Sequence, residues 1–344
     1  MKNACFFFSE DFLKHGYSDH IESKERLESV MGDLHYNILN DIIDFINPHS
    51  ASEEEIMLVH DPDYVKYIID FKEGMLDIDT IMSPGSLNAA LKAAGAAIDG
   101  VREAKRGRKL SYGLVRPPGH HAMPDRAMGF CIFNNVAIGT AYALSSGYKR
   151  VLIVDWDVHH GNGTENMFYD NPDVLYFSVH QYPFYPGTGH YSDVGAGDGE
   201  GFNVNVPFSP GSTDADYASA FDRLLIPVSK EFKPDLIMVS AGYDTHYDDP
   251  LGSMKMTEAG FHMMASKVKE ISDMFNAGIV AMLEGGYSLK HLPSSVEASI
   301  LGFLGKGGGL KIDNKVTKAA MDNIDKAIDV QKNYWKSLRP YQLA

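Results

Sequence analysis

The sequence of 344 residues predicts an α/β protein with a mainly parallel sheet. Short apolar runs alternate along the chain with longer segments of helical pattern, as in folds where a helix follows each strand. The runs are continuously apolar, which is typical of strands that helices cover on both faces. Because 44% of the residues are hydrophobic, the chain can bury a large core.

Six apolar runs are predicted as buried strands. In chain order they are Ala4–Phe8, Gly113–Val115, Val151–Val154, Val174–Ser178, Leu236–Val239 and Ile279–Leu283. Helical patterns lie between them, at Ser86–Glu103, Asn134–Ser145 and Asp214–Phe232. A last amphipathic pattern at Lys315–Leu338 predicts a helix that docks on the body of the protein or on a partner.

Charge and cysteine content narrow the class of protein. The formal net charge is −15, so we expect no nucleic-acid partner, because phosphate-binding surfaces are basic. Only Cys5 and Cys131 are present, which disfavours a disulfide framework and fits a reducing cytoplasm. No stretch approaches the ~20 apolar residues of a membrane span, and the first residues lack the long apolar core of a signal peptide. We therefore expect a cytoplasmic protein without a membrane partner.

Ionisable residues stand directly after the run Val151–Val154. Asp155, Asp157 and His159 are spaced two residues apart, so in an extended chain their side chains share one face. Two carboxylates and an imidazole are costly to bury together unless a cation or other partners neutralise them. A divalent metal satisfies such a set. The alternative is that the aspartates pair with arginines and the histidine is an ordinary core residue.

Three other stretches follow predicted strands and strengthen the metal hypothesis. Arg116–His121 places two adjacent histidines on a stiff Pro-Pro-Gly turn, where they are candidates for acid–base catalysis. Ser240–Asp244 ends in an acid that can serve as a third ligand, and three protein ligands leave a catalytic zinc one open position. Leu283–Tyr287 has two glycines before its tyrosine, which permit a turn that presents the phenol.

The motifs RPPGHH, DWDVHHGNGT, SAGYD and LEGGY, in this order and spacing, resemble the zinc-dependent histone deacetylase and acetylpolyamine amidohydrolase family. The segment HIESKERL at His20–Leu27 is similar to that family's HPExPERL-type segment, and the resemblance extends to about residue 305. It implies the arginase–deacetylase fold, a three-layer α/β/α arrangement with an eight-stranded, mainly parallel sheet. We expect residues 1–310 to form the deacetylase domain and residues 311–344 to form a helical extension packed on it.

The resemblance implies one Zn²⁺ per chain, with Asp157, His159 and Asp244 as its ligands. Asp155 would then orient His120 instead of binding the metal, a distinction that the spacing leaves open. Zinc can polarise an amide carbonyl and lower the pKa of water to about 7, so the implied site suits amide hydrolysis. The ligand types are also compatible with iron(II).

The resemblance further assigns the catalytic side chains. His121 would be the general base and later the acid that protonates the leaving amine, with His120 as its electrostatic partner. Tyr287 would donate a hydrogen bond to the oxyanion, since a phenol stays protonated near neutral pH. Arg26 matches an arginine near an internal channel for acetate. The implied walls of a narrow substrate tunnel are Gly129, Phe130, Tyr185, Leu251 and Gly285.

Two potassium sites are implied by the resemblance alone, because backbone carbonyls leave little trace in a sequence. The first would use Asp155, Ser178 and the carbonyls of Asp157, His159 and Val179. The second would use carbonyls around Phe168, Asn171, Val174 and Phe202.

Two positions depart from common family patterns. Asn162 stands where some members have an aspartate, and it can bond a histidine but carries no charge, so the dyad with His121 is weaker. Leu251 stands at a rim position where polyamine-selective members can carry glutamate, which weakens the case for a strict polyamine preference. His160 alternates to the opposite face from His159, and we interpret it as structural.

The predicted substrate is an acetylated amine, either acetyl-lysine in proteins or peptides, an acetylpolyamine or a small acylated amine. One alternative is a manganese ureohydrolase of the same fold, which needs an Asp-x-Asp pair where this chain has Asp244-Thr245-His246. Another is a non-catalytic acyl-lysine binder, which should have lost a ligand, the histidine pair or the tyrosine, yet all are present. A homo-oligomer is compatible with the sequence.

Overall fold

The computed structural model describes residues 2–17, 19–36, 43–307, 312 and 315–339. Its strands are β1 (Ala4–Phe7), β2 (Ile43–Ile46), β3 (Gly74–Met75), β4 (Ile81–Met82), β5 (Leu110–Gly113), β6 (Val151–Asp155), β7 (Val174–Gln181), β8 (Asn203–Phe208), β9 (Leu236–Ala241) and β10 (Gly278–Leu283). β3 and β4 form a small antiparallel hairpin. The other eight form one parallel sheet in the order β2-β1-β5-β10-β9-β6-β7-β8.

The α-helices are α1 (Lys24–Tyr36), α2 (Glu53–Ile56), α3 (Pro62–Asp70), α4 (Ser86–Lys105), α5 (Asn135–Ser145), α6 (Asn162–Met167), α7 (Asp214–Ala220), α8 (Ile226–Phe232), α9 (Glu258–Phe275), α10 (Leu292–Phe303) and α11 (Lys318–Gln331). Short 3₁₀ helices lie at Glu10–Lys14, Gly197–Gly199 and Lys336–Leu338. Among the residues that the structure describes, no helix has the length and apolar character to cross a membrane.

Helices cover both faces of the sheet. α4 packs on α5, β5 and β10, whereas α9 packs on α10, β9 and β10. Strands β6 to β9 are buried along their whole length, which explains the mostly apolar sequences of β6 and β9. The predicted three-layer fold with an eight-stranded parallel sheet is confirmed.

One predicted strand is misplaced. The prediction was Gly113–Val115, but the observed strand β5 spans Leu110–Gly113. Ser111 and Tyr112 are buried in it although both are polar. The Ser111 hydroxyl donates to a backbone carbonyl of α4 at 3.3 Å, and the Tyr112 hydroxyl shares a hydrogen bond of 2.6 Å with that of Tyr243. Because these groups are satisfied, they can lie in the core, where an apolar pattern does not find them.

Two predicted helices differ in extent. The segment Asp214–Phe232 is helical throughout, but a π-helical stretch at Phe221–Leu225 separates α7 from α8. The tail helix predicted at Lys315–Leu338 is shorter, because the Thr317 side chain caps the first turn of α11. After α11, the Trp335 indole donates to the carbonyl of Gly201 at 2.8 Å. Within residues 315–339, the chain therefore packs against β8 and Gly201 of the same chain.

Candidate active site

The four sequence motifs meet at one edge of the sheet. The histidine pair follows β5, Asp155 ends β6, Asp244 follows β9 and Tyr287 follows β10. These strands are neighbours, in the order β5-β10-β9-β6. Because all of them are parallel, their carboxyl ends lie together, and residues that are distant in the chain converge there.

A cavity with a volume of about 110 Å³ lies at this edge, at the position of the predicted tunnel. All five residues predicted for its walls line it, and Asp79 and Pro118, to which the sequence assigned no role, line it too. The complete lining is Asp79, Pro118, His120, His121, Gly129, Phe130, Asp157, His159, Tyr185, Leu251, Gly285 and Tyr287.

The three predicted metal ligands lie together at the base of the tunnel. Donor atoms of Asp157, His159 and Asp244 are all within 4.8 Å of one another. The Nδ1 atom of His159 lies 3.2 Å from Oδ1 of Asp157 and 3.2 Å from Oδ2 of Asp244. The His159 ring is stacked on Phe184 with centroids 5.3 Å apart, which fixes the plane of the imidazole.

These residues fit one divalent metal ion. Oδ1 of Asp244 accepts the backbone N–H of Val158 at 2.8 Å, but Oδ2 is buried and receives no well-aligned hydrogen bond among the described residues, although His159 Nδ1 lies 3.2 Å away. An unpaired carboxylate oxygen is costly inside a protein, and a cation removes that cost. A Cβ atom on Gly285 would lie 2.3 Å from Oδ2 of Asp244 and 2.7 Å from Oδ2 of Asp157, so glycine leaves the carboxylates their space.

Asp155 is occupied by other contacts. Its Oδ2 atom lies 3.0 Å from Nδ1 of His120 and accepts the hydroxyl of Tyr176 at 3.1 Å. Its Oδ1 atom accepts the backbone N–H of Asp157 at 3.1 Å. These bonds fit a residue that orients His120, as the resemblance implied, and they leave the divalent metal to the other three side chains.

The two histidines have opposite electrostatic environments, although their ring centroids are only 4.0 Å apart. Burial lowers the pKa of His120, but the Asp157 and Asp155 carboxylates outweigh it and raise that pKa to about 10. Burial and the neighbouring His120 hold the pKa of His121 well below its usual value. Nδ1–H of His121 donates to Oδ1 of Asn162 at 2.8 Å, so Nε2 keeps a free lone pair.

Tyr287 is held from two sides. Oδ2 of Asp249 accepts the backbone N–H groups of Tyr287 at 2.6 Å and of Ser288 at 3.2 Å. The Arg26 guanidinium lies over the phenol ring, with its Cζ atom 4.9 Å from the centroid. Burial raises the pKa of Tyr287 well above its usual value, although Arg26 opposes the shift. The phenol therefore stays protonated and can donate a hydrogen bond.

Arg26 supports the glycine turn before Tyr287. Its guanidinium donates to the carbonyl of Gly286 at 2.6 Å and to the carbonyl of Glu284 at 2.5 Å. Oε1 of Glu22 accepts from Arg26 at 2.7 Å and from Arg116 at 2.6 Å. Burial raises the pKa of Glu22, but the two arginines prevail and lower it to about 2. A channel for acetate beside Arg26 stays a prediction.

Glu284 is a site residue to which the sequence assigned no role. Its Oε2 atom accepts the backbone N–H groups of Gly119 at 2.6 Å and of His120 at 3.2 Å, and its Oε1 atom accepts the hydroxyl of Ser240 at 3.0 Å. The carboxylate therefore ties the histidine turn to the ends of β9 and β10. The sequence feature that could have indicated this role is the position of an acid directly after the apolar run of β10.

The hairpin of β3 and β4 supplies part of the tunnel wall. Oδ1 of Asp79 accepts the backbone N–H of Gly129 at 3.0 Å, and Oγ1 of Thr80 accepts that of Phe130 at 3.0 Å. Gly129 has a φ of +58°, and a Cβ atom there would lie 2.4 Å from the ring of His121. The hairpin thus fixes a glycine whose lack of a side chain makes room for the histidine pair.

His160 points away from the metal set, as expected from its alternation with His159. Its Nδ1 atom lies 2.8 Å from Oγ1 of Thr188, and its ring centroid is 4.7 Å from that of His180. Nε2–H of His180 donates to the carbonyl of Gly189 at 2.8 Å. Both histidines hold the loop that carries Tyr185.

The residues predicted for potassium binding are brought together in two places. Asp155 of β6 is in register with Ser178 of β7, next to Val179. In the second set, Asn171 N–H donates to the carbonyl of Phe168 at 3.1 Å, and Val174 N–H donates to that of Asn171 at 3.3 Å. The carbonyl of Phe202 accepts Tyr176 N–H at 2.9 Å. Binding of potassium to these carbonyls stays a prediction.

A second group of metal-type side chains lies outside the tunnel, at His246, Glu258 and His291. Asp248 N–H donates to Nδ1 of His246 at 3.2 Å, so the neutral ring carries its proton on Nε2, 3.7 Å from Oε1 of Glu258. His291 Nδ1 lies 3.1 Å from the same oxygen. His246 Nε2 is buried without a hydrogen-bond partner among the described residues, and Glu258 pairs with His291.

Comparisons with known proteins agree with this geometry. A family model described as the histone deacetylase domain matches residues 20–303. A probable deacetylase from Archaeoglobus fulgidus is 40% identical over 290 residues, which cover 82% of this chain and 81% of that protein. A chloroplastic histone deacetylase 10 from Oryza sativa subsp. japonica is 38% identical over 317 residues, with 86% and 72% covered. The crystal structure of the HDA15 HD domain superimposes with a TM-score of 0.91 at 34% identity, covering 98% of this chain and 96% of that one.

Proposed function

The chain belongs to the histone deacetylase family, and on that premise we propose that it is a zinc-dependent deacetylase that hydrolyses the acetyl amide of acetyl-lysine or a related acetylated amine. The observation that carries the proposal is the buried set of Asp157, His159 and Asp244 beneath a tunnel that the histidine pair and Tyr287 line. Amide hydrolysis needs an activated water, stabilisation of the oxyanion and a proton for the leaving nitrogen. This chain has a group for each need.

Asp157, His159 and Asp244 would hold the zinc ion. When bound, Zn²⁺ polarises an amide carbonyl and makes water more acidic. The unpaired oxygen of Asp244 and the space beside Gly285 support a single ion at this position. We propose potassium at the two carbonyl sets, where it would add charge near Asp155 and at the start of β7.

His121 is the proposed proton carrier. Its Nδ1–H bond to Asn162 fixes the ring and leaves Nε2 able to take a proton from the attacking water. The same nitrogen would then give that proton to the leaving amine. His120, protonated beside Asp155, supplies a positive charge that stabilises the developing oxyanion.

Tyr287 would donate its phenolic hydrogen to the oxyanion. Asp249 and Arg26 hold its backbone and its ring, so the donor is in place before the substrate arrives. Such preorganised donors stabilise charge that develops only in the transition state.

The substrate class is proposed from the tunnel mouth and from the relatives. The rice relative and the HDA15 domain carry histone deacetylase names, which favours acetyl-lysine in polypeptides. Leu251 lines the mouth and offers no countercharge to a distal ammonium group. Asp79 also lines the tunnel and keeps its negative charge although its Oδ1 atom accepts Gly129 N–H, so Leu251 and the relatives, not Asp79, carry the expected preference for peptides. Acetyl-lysine peptides should therefore have a kcat/KM at least equal to that of acetylpolyamines, and Leu251→Glu should shift this ratio toward polyamines.

Metal dependence tests the proposal directly. We expect purified protein to contain one tightly bound divalent ion per chain, measured by elemental analysis, and to lose turnover of an acetyl-lysine peptide when a chelator removes it. Zn²⁺ should restore activity. His291→Ala is the matched control, because it disrupts the second histidine group and should leave the metal content unchanged. Full turnover after verified metal removal would contradict the proposal, as would a requirement for two divalent ions.

A further inference from the structure

His246, Glu258 and His291 form a group of metal-type side chains that the proposed reaction does not use. We call this group the second histidine site. His246 lies in the loop after β9, Glu258 is the first residue of α9, and His291 immediately precedes α10. One ligand-type atom from each side chain lies within 4.8 Å of the other two, as in the set proposed for the catalytic ion.

The distances between these atoms suit a single transition-metal ion. Nε2 of His246 lies 3.7 Å and Nδ1 of His291 lies 3.1 Å from Oε1 of Glu258. Tetrahedral ligands that are ~2.0–2.1 Å from a zinc ion are ~3.3 Å from one another, so small side-chain movements would bring all three atoms onto one ion. The two corresponding distances from His159 in the set proposed for the catalytic ion are both 3.2 Å.

Nε2 of His246 is directed into the second histidine site and lacks a partner. His246 is only 2% exposed, and its Nε2 atom has no hydrogen-bond partner among the described residues. A buried polar atom without a partner costs free energy, and a bound ion would remove that cost. This atom is the observation that distinguishes the group from an ordinary surface ion pair.

The backbone holds the three side chains near one another before an ion binds. Tyr247 N–H donates to the carbonyl of Met256 at 3.0 Å, and Met256 N–H donates to that of Thr245 at 3.1 Å, so the loop of His246 runs beside the start of α9. The imidazole rings of His246 and His291 are stacked with their centroids 4.4 Å apart. Little conformational entropy remains to be lost when an ion binds.

We propose that His246, Glu258 and His291 bind a second Zn²⁺ ion, separate from the ion proposed for catalysis. Two imidazoles and one carboxylate suit Zn²⁺, whereas Mg²⁺ and Ca²⁺ prefer sites made of oxygen atoms. The ion would join the loop that follows Asp244 to the segment that follows Tyr287, and it would stabilise the folded chain.

Binding moves one proton on each ring and leaves both imidazoles neutral. In His291 the proton moves from Nδ1 to Nε2, which lies 3.6 Å from Oδ2 of Asp248. In His246 it moves from Nε2 to Nδ1, which gives up the 3.2 Å hydrogen bond from Asp248 N–H. Water can take over that N–H, because half of the Asp248 side chain is exposed.

The second ion should be held less tightly than the first. The second histidine site has one carboxylate instead of two, and it loses the bond from Asp248 when it is filled. We therefore expect this ion to exchange with solvent and to be removed during purification, so that purified protein keeps only the tightly bound ion.

A titration with Zn²⁺ tests the proposal on protein that already holds its first ion. With a chromophoric chelator as competitor, wild type should take up one further Zn²⁺ per chain, and excess Mg²⁺ should not displace it. His291→Ala should weaken this second binding by more than ~100-fold, because loss of groups that only support a metal ligand already costs ~10–100-fold. At a free Zn²⁺ concentration 100 times the Kd, the Tm of wild type should rise by about 3–4 °C, and that of His291→Ala should not.

His49→Ala is the matched control, because His49 also lies beside two carboxylates. Its Nε2 atom is 3.1 Å from Oε2 of Glu55 and its Nδ1 atom is 3.0 Å from Oδ2 of Asp99. Two nitrogens of one ring cannot point at the same ion, so this group is not a metal site. His49→Ala should bind the second Zn²⁺ as wild type does.

Glu258→Gln provides a second variant in case His291→Ala does not fold. The Glu258 side chain is 32% exposed, so an amide can replace its carboxylate without being buried. This variant should also lose the second ion and the rise in Tm.

Two results would overturn the proposal. One is a wild type that takes up no Zn²⁺ beyond its first ion. The other is equal uptake by wild type, His291→Ala and Glu258→Gln, which would place the ion elsewhere. The proposal is independent of the proposed function, since a wild type that binds two Zn²⁺ ions but hydrolyses no acetylated amine would contradict the proposed function alone.

Discussion

Tyr287 offers the sharpest test of a single contact. Arg26 and Asp249 position this residue, so removal of its hydroxyl should leave the ring in place. We expect Tyr287→Phe to lower kcat for an unactivated acetyl-lysine peptide by about 10²–10³, with KM and metal content nearly unchanged. Steady-state kinetics measures kcat and KM, and elemental analysis of the same preparation measures the metal content.

A tyrosine outside the tunnel provides the control for that substitution. Tyr247 is 54% exposed, and Tyr247→Phe removes a hydroxyl without touching the proposed chemistry. Its kcat should match that of wild type. An unchanged kcat in Tyr287→Phe would remove the phenol from the mechanism.

The histidine pair makes a second prediction at the residue scale. His121 is assigned both proton transfers and His120 only an electrostatic part, so His121→Ala should reduce kcat more than His120→Ala. Asn162 is neutral, which leaves His121 without the charged partner that Asp155 gives His120. Kinetics of the two variants, each loaded with metal, decide the order. The opposite ranking would transfer the role of base to His120.

Some site residues could be predicted from the sequence and others could not, for a physical reason. Asp157, His159 and Asp244 stand out as candidates because each follows an apolar run and parallel strands bring such positions together, but only the family resemblance distinguishes them from Asp155 as ligands. Glu284 and Asp79 act instead on backbone N–H groups of Gly119 and Gly129. A backbone donor leaves no mark in the sequence, so these partners become visible only in the folded chain.

The same contrast holds for secondary-structure elements. Strands β6, β7 and β9 were predicted because helices cover both of their faces, which makes their sequences apolar. The edge strand β8 was not predicted, since Asn203 and Asn205 alternate with its apolar residues. Both asparagines donate to Oε1 of Glu165, at 3.1 and 2.7 Å, so their polarity reflects a buried partner and not solvent.

Glu22 links three parts of the fold, so we predict that its carboxylate contributes to the stability of the protein. It precedes α1, and its carboxylate bonds Arg26 in that helix and Arg116 after β5, while Arg26 reaches the turn after β10. Glu22→Gln would leave two buried guanidinium groups without a countercharge. We expect the free energy of unfolding to fall by about 3–5 kcal/mol, measured by urea denaturation.

An exposed glutamate in α1 is the control for Glu22. Glu28 lies 3.3 Å from Lys24 with about half of each side chain exposed to water. Glu28→Gln should change the free energy of unfolding by less than about 0.5 kcal/mol. Similar losses in the two variants would show that the buried carboxylate has no special role in stability.

The stability of the whole molecule should depend on pH through His60. Burial lowers its pKa to about 4, although the Pro124 and Met123 carbonyls favour the charged ring. In the unfolded chain its pKa is about 6.5, so between these values the unfolded chain binds more protons and stability falls as the pH falls. The contribution of His60 to the free energy of unfolding should be fully present above pH ~6.5 and should decrease by about 3 kcal/mol by pH ~4.

His60→Gln isolates this contribution from those of other groups. Nε2 of His60 accepts the N–H of Asn134 at 2.9 Å and Nδ1 donates to the carbonyl of Met123 at 3.0 Å, and a glutamine amide can make both types of bond without titrating. As the pH falls from 7 to 4, the free energy of unfolding should decrease more in the wild type than in the variant. A difference that is constant over this range would show that the pKa of His60 is the same in the folded and the unfolded chain.

The position of β10 in the sheet sets the order in which the protein can assemble during synthesis. β10 lies between β5 and β9, so it alone joins the part with β1, β2 and β5 to the part with β6 to β9. A ribosome releases the chain from its amino end, and long-range pairing of parallel strands is slow. Until β10 emerges, the strands before the histidine turn and those before the proposed metal ligands are not paired with each other, although α5 packs on both α4 and β9. We expect the nascent chain to need protection from aggregation for most of its synthesis and to complete the proposed metal site only near the end.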